Sequence, residues 1–164
     1  LAHRPIPCAF APKIGGKLGC PRQAPEEDRM SHVFRTPVSL RWSDLDAFNH
    51  VNNSRYLTFL EQARIEWFET LDEPWMDDHS APVVASATLN FKRPIAYPAQ
   101  VAVELFTDKL GTSSVVIGHR IVAADGTVHC DGQVVAVWVD RQTGKPTPLP
   151  PGVRRASERL LPAA

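Results

Sequence analysis

Between Thr36 and Trp42 apolar and polar residues alternate. Val38, Leu40 and Trp42 fall on one side, and Pro37, Ser39 and Arg41 on the other. Period two predicts a half-buried strand. The spacing then changes. Placing successive residues of 54–71 about 100° apart puts Tyr56, Leu60, Ala63, Trp67 and Leu71 on one face of a helix. Arg55, Thr58, Gln62, Glu66 and Glu69 gather opposite. Leu57, Phe59 and Phe68 widen the apolar arc, which predicts a helix that is largely enclosed. Asp72-Glu73-Pro74 ends it.

Four strand patterns follow. Val83, Ala85, Ala87, Leu89 and Phe91 share one face of the first, and Val101, Val103 and Leu105 one face of the second. The third carries Val115, Ile117 and Ile121. The fourth carries Val128, Cys130, Val134, Ala136 and Trp138, with an irregularity expected at Gly132. Asp125-Gly126 signals a tight hairpin between the last two. Gly111 and Tyr97-Pro98 mark the other turns. After Asp140 come Pro146, Pro148, Pro150 and Pro151, then a short helix predicted at 153–161. Strand, apolar helix and four antiparallel strands make an α+β fold. Its solution is two layers, with a curved sheet of about five strands wrapped round one long helix.

Residues 1–29 break this patterning. They contain Pro5, Pro7, Pro12, Pro21 and Pro25 and show no periodicity, so the expectation is a disordered extension. Met30 directly precedes the first patterned run and is a candidate translation start. The expected domain is 30–164, with a proline-rich tail over about 141–164. At 164 residues the chain can bury one real core. Its apolar content of 43% and charged content of 22% are those of an ordinary globular protein. Zero formal net charge argues against a nucleic-acid partner. No apolar run approaches the ~20 residues of a membrane span. Cys8, Cys20 and Cys130 form no CxxC pair, and a reducing, cytoplasmic setting is expected. No histidine pair has metal-ligand spacing on one element, so no metal is expected.

Chemistry is concentrated between Asp44 and Asn53. Two carboxylates, one histidine and three asparagines lie there, beside Trp42, Phe48 and Tyr56. The segment abuts the predicted helix N-terminus, where orphan N–H groups can hold an anion or an oxyanion. Asp44 and Asp46 also have a plain reading as turn formers. His50 either orients water or polarises a carbonyl, or it bridges backbone groups. Asn49, Asn52 and Asn53 suit loop hydrogen bonding. Arg64 falls inside the apolar arc and must be paired, with Glu61, Asp44 or Asp46 as partner.

The run Asp44-Leu45-Asp46-Ala47-Phe48-Asn49-His50-Val51-Asn52-Asn53 is followed by Tyr56 and by Glu61 and Arg64. Together with Asn90-Phe91-Lys92-Arg93-Pro94 and the Tyr97-Pro98 turn, it resembles hotdog-fold acyl-CoA thioesterases of the 4-hydroxybenzoyl-CoA thioesterase type, over roughly 34–140. The resemblance implies that Asp46 is the catalytic carboxylate, as nucleophile or general base. It places the oxyanion donor at the Asn53 N–H and the acyl tail beside Phe48 and Tyr56. Glu61 is the rival carboxylate, since some hotdog thioesterases use a helix glutamate. The arginine pair that grips coenzyme A in the type enzyme matches Leu110 and Gly111 here and is absent. Lys109, Thr112 and Ser113, or Lys92 and Arg93, are the substitutes. No cofactor is implied, because coenzyme A is part of the substrate. Edge-to-edge dimers, often paired into tetramers, are implied too, with the Lys92–Pro94 and Lys109–Ser114 segments reaching the partner's site. Hotdog folds also host hydratases or dehydratases and non-catalytic acyl-CoA-binding proteins. Asp46 and His50 stand four residues apart, against five in the hydratase motif.

Overall fold

In the computed structural model, which describes residues 32–162, five strands pair antiparallel in the spatial order β1-β3-β4-β5-β2. They are β1 (Phe34–Val38), β2 (Ser80–Phe91), β3 (Val101–Leu110), β4 (Ser114–Ala123) and β5 (Val128–Asp140). The first two strands in sequence therefore form opposite edges of the sheet. The helix α1 (Asn53–Glu69) lies between them in sequence, and α2 (Pro151–Arg159) closes the chain. This is the hotdog arrangement. The expectation for residues 1–29 lies outside the described residues.

The period-two reading holds for β3, β4 and β5. Val103, Leu105, Val115, Ile117, Ile121, Cys130, Val134 and Trp138 are buried on the face beneath α1. Tyr56, Leu60, Ala63 and Trp67 meet them from the helix. Phe68 stacks on Trp75 at 5.1 Å and meets Trp138 edge-on at 5.7 Å. The Trp138 indole donates to the Trp75 carbonyl at 2.8 Å, so the aromatic knot is satisfied as well as buried. Asp125-Gly126 turns the β4–β5 hairpin, with Gly126 at φ 83°. Leu149, Val153, Ala156 and Leu160 enter the core from the tail, and α2 packs on β3.

Three expectations are corrected. β1 ends at Val38, and Trp42, 76% exposed, begins a one-turn 3-10 helix (Trp42–Asp44). The buried face of β1 is Phe34, Thr36 and Val38, and the alternation beyond it belongs to the turn. In β2 the register shifts between Val84 and Ser86. The extra residue of this bulge sends Val83 to the outer face with Val137, while Ala87, Leu89 and Phe91 face α1. The helix is not enclosed all round either, because Leu57 is exposed.

Gly132 sits where β2 and β5 approach closely. A Cβ there would stand 1.9 Å from the Thr88 carbonyl oxygen. Only glycine lets Leu89 and Gly132 pair in register.

Candidate active site

The polar segment between the 3-10 turn and α1 is folded on itself by its own side chains. Asp44 is buried and accepts the Arg41 N–H at 2.8 Å, while Arg55 approaches its other oxygen at 3.6 Å. Asp44 is thus a structural carboxylate. Asp46 Oδ1 accepts two main-chain N–H groups, from Phe48 at 2.8 Å and His50 at 3.1 Å. The Asp46 N–H donates to the His50 carbonyl at 2.7 Å. These bonds fix one carboxylate oxygen and leave Oδ2 without a partner among the described residues. Asn49 takes φ 60°, a left-handed conformation that asparagine tolerates better than most residues.

A second strip of chain holds this loop from outside. Val51 donates to the Ile95 carbonyl at 2.8 Å, and His50 forms a bridge with Ala96. The Asn49 amide donates to the Tyr97 carbonyl at 3.2 Å, and the Trp42 and Tyr97 rings meet edge-on at 6.1 Å. The strip is in turn tied to β5, where Lys92 and Arg93 both donate to the His129 carbonyl. The loop therefore rests on the sheet through residues 91–97, whose role the residue pattern alone did not disclose.

α1 begins where the loop ends. Asn52 caps it, its side chain accepting the Ser54 N–H at 3.0 Å. The Arg55 N–H bonds the Asn52 carbonyl at 2.8 Å. The Asn53 N–H has no acceptor among the described residues and stands at the positive end of a 17-residue helix. Asn53 opens into a cleft of about 240 Å³ lined also by Val51, Tyr56, Phe91, Lys92, Arg93 and Pro94.

Tyr56 is 2% exposed and packs edge-on against Phe91 at 5.0 Å. Burial lifts its hydroxyl above the ordinary phenol value, with Cys130 and Asp46 adding to the rise and a main-chain hydrogen bond from Ile95 opposing it. Tyr56 thus ties the Asp46 loop to the cleft. Burial, then Asp131, pushes the Cys130 thiol up to about 11, so it is no thiolate nucleophile at neutral pH.

The remaining sequence candidates divide. Lys92 and Arg93 join Asn53 and Tyr56 in the cleft. Lys92 pairs with Asp131 at 3.2 Å, and Arg93 has no ion pair among the described residues. Lys109, Thr112 and Ser113 lie at the opposite end of β3, near the N-terminal end of α2. There Arg154 donates to the Thr112 carbonyl at 3.2 Å and Trp138 donates to that of Ser113 at 2.9 Å. Within one chain they do not converge on the cleft. Phe48 is 80% exposed. Glu61 is exposed on α1, eight residues from Asn53 or about 12 Å along the axis.

The expected ion pair of Arg64 is corrected. Asp44 is taken by Arg55, and Glu61 influences Arg64 only through its field. Arg64 is 9% exposed and its Nη1 is buried without a hydrogen-bond partner among the described residues. Burial lowers its pKa, with Glu61 opposing. Nearby on β4, His119 is 1% exposed and neither ring nitrogen has a partner among the described residues. Burial first, then the Arg64 charge, pushes it down to about 4 against a smaller opposing pull from Asp131, so it is neutral at pH 7. Sequence reading passed over His119, although period two places it between Ile117 and Ile121 on the buried face.

Known proteins align with this chain over most of its length. It is 31% identical over 131 residues to the long-chain acyl-CoA thioesterase FadM of Escherichia coli strain K12, covering 78% of this chain and 99% of that protein. The acyl-CoA thioester hydrolase YbgC of E. coli O6:H1 is 28% identical over 124 residues, covering 74% and 92%. A thioesterase from Thermus thermophilus, solved with coenzyme A and zinc, superposes with a TM-score of 0.64 at 35% identity, covering 75% of this chain and 95% of that one. Residues 40–157, from just after β1 through most of α2, match the family model of the thioesterase-like superfamily, and the chain belongs to that family.

Proposed function

We propose that this protein is an acyl-CoA thioesterase in which Asp46 and the Asn53 N–H are the reacting pair. One observation carries the reading. The Asp46 carboxylate is held at Oδ1 by two main-chain N–H groups with Oδ2 left unpartnered among the described residues, and the Asn53 N–H that opens a long helix is likewise unbonded among them. In the reaction the thioester carbonyl oxygen lies against the Asn53 N–H. Asp46 takes a proton from water as the water oxygen attacks, or itself attacks to give an anhydride that water then opens. The tetrahedral oxyanion collapses and the C–S bond breaks. The thiolate leaves unaided, since its conjugate acid has a pKa of about 8.5 by analogy with cysteine. One oxyanion donor supplies roughly 3 kcal/mol of barrier lowering. His50, fixed by its main chain, stands over the same loop and orients the attacking water.

The acyl tail passes Tyr56 and Phe91, and coenzyme A lies over the mouth of the cleft. Arg93 is the best-placed cation for its phosphates, because Lys92 is already engaged by Asp131. The active unit is a dimer, and the setting is cytoplasmic. β2 is a long, unpaired edge with Val83 and Val84 exposed, and beside its inner face Phe91 and Leu57 are exposed too. A second copy pairing there removes the edge and covers these residues. Hydration of an enoyl thioester and non-catalytic binding are the less favoured readings. The test is release of free thiol from an acyl-CoA panel. Asp46→Asn should lower kcat by about 100-fold or more. Near-normal turnover in Asp46→Asn with an inactive Glu61→Gln would move the role to the helix.

A further inference from the structure

Arg93 lies just past the end of a strand. The register between β2 and β5 stops at Phe91 opposite Cys130. Beyond it the chain turns away, and Pro94 has no N–H with which to continue the ladder. A long cationic side chain on unanchored backbone would have to be ordered each time it grips a phosphate, at a cost in entropy. The segment that carries Arg93 therefore needs an anchor of its own.

His129 supplies it from β5. Its main-chain carbonyl accepts the Lys92 N–H at 2.8 Å and the Arg93 N–H at 3.2 Å. Its ring Nδ1 stands 3.3 Å from the Arg93 carbonyl oxygen and 3.1 Å from that of Pro94. Carbonyl oxygens only accept, so Nδ1 carries the proton and the ring is the donor. One residue thus holds the Arg93 backbone on both sides of its Cα. Among the described residues no other group bonds the main chain of Arg93 or Pro94. The flanking residues are fixed separately. Lys92 Nζ pairs with Asp131 at 3.2 Å, and Ile95 is wholly buried and accepts the Val51 N–H. Between them the Arg93 guanidinium has no ion pair among the described residues and lines the cleft with Asn53.

We propose, resting on the thioesterase reading above and on the place of Arg93 in it, that His129 is a positioning residue whose ring N–H fixes the backbone from which Arg93 reaches the coenzyme A phosphates. His129 touches no reacting atom. Its effect belongs to substrate binding, because order supplied by the fold need not be supplied on association. The bonds made through its carbonyl do not depend on its side chain. Loss of the ring therefore leaves the hold of β5 on Lys92 and Arg93, and the support of the Asp46 loop at Val51 and His50, in place.

Thiol release tests this with two substrates. One is the acyl-CoA that the panel above shows to turn over fastest. The other is the same acyl group on N-acetylcysteamine, a thiol without phosphates. His129→Ala should raise KM for the acyl-CoA about fivefold, as for one lost hydrogen bond, with little change in kcat. The N-acetylcysteamine thioester should be hydrolysed as by the wild type. His129→Asn should restore KM, since its amide nitrogen stands as many bonds from Cα as Nδ1 does. In an Arg93→Ala background, His129→Ala should add little. His129→Phe keeps a ring without the donor and takes the place of His129→Ala if that variant does not fold. Equal losses on both thioesters overturn the proposal and make the imidazole a general support of the fold. An unchanged KM in the folded donor-less variant overturns it, as does full additivity with Arg93→Ala. A wild-type KM for the acyl-CoA in Arg93→Ala overturns it whatever the His129 variants do. Absence of thiol release from every acyl-CoA overturns the thioesterase reading itself, and the role of His129 with it.

Discussion

His119 should make the protein acid-sensitive by an amount that can be worked out. Its folded pKa of about 4 lies below the ordinary histidine value of 6.5. The unfolded chain therefore binds the proton first, and stability present above pH 6.5 is lost as pH falls towards 4. With one site, the unfolded histidine is almost wholly protonated at pH 5 and the folded one mostly neutral. The loss between pH 7 and pH 5 is then about 2 kcal/mol, rising to about 3 kcal/mol at pH 4. His119→Gln keeps a polar side chain of similar length and removes the titration. Urea unfolding of both proteins, at one protein concentration and at several pH values, isolates the contribution as the difference of their slopes. The wild type should lose about 2 kcal/mol more than the variant between pH 7 and pH 5. Parallel pH profiles would refute the reasoning, and would mean that the imidazole reaches solvent or a carboxylate in the folded state.

Three further outcomes are expected. Asn52→Ala removes the α1 cap and should cost about 1 kcal/mol in urea unfolding; an unchanged midpoint would show that the Asp44 carbonyl, which accepts the Asn52 N–H, holds the helix start alone. Gly132→Ala should destabilise by about 3 kcal/mol, because its Cβ meets the Thr88 carbonyl; a wild-type thermal transition would show that β2 can move aside. Val84→Asp places a charge on the open β2 edge and should shift sedimentation from dimer to monomer with loss of thiol release; a fully active monomer in either protein would remove the second copy from the site.

The sheet was readable wherever one face is buried and the other is not. In β3, β4 and β5 that contrast repeats at period two, and Val103, Ile117 and Val134 declare it. It failed in β2, where a single extra residue near Ala85 reverses the faces and no hydrophobic signal marks the slip. It failed at Trp42 because the alternation ran on into a turn. The Asp46 loop stood out through its density of polar groups, but its external support did not. Residues 95–97 hold the loop mostly through main-chain atoms, which no side-chain pattern can announce. The ion pair expected for Arg64 does not form among the described residues, because the obvious acid, Asp44, is engaged by Arg55.

The strand order β1-β3-β4-β5-β2 bears on how the site comes into being. The Asp46 loop leaves one edge of the sheet, at β1, and residues 91–97 leave the other, at β2. Their meeting, at Val51 with Ile95 and His50 with Ala96, joins segments more than forty positions apart in the chain. Such contacts close only after the intervening strands have found their register. The proposed reacting geometry should then arise among the last events of folding. No fragment lacking either edge would retain it, and partial unfolding at either edge would abolish turnover before the core between α1 and β3 gives way.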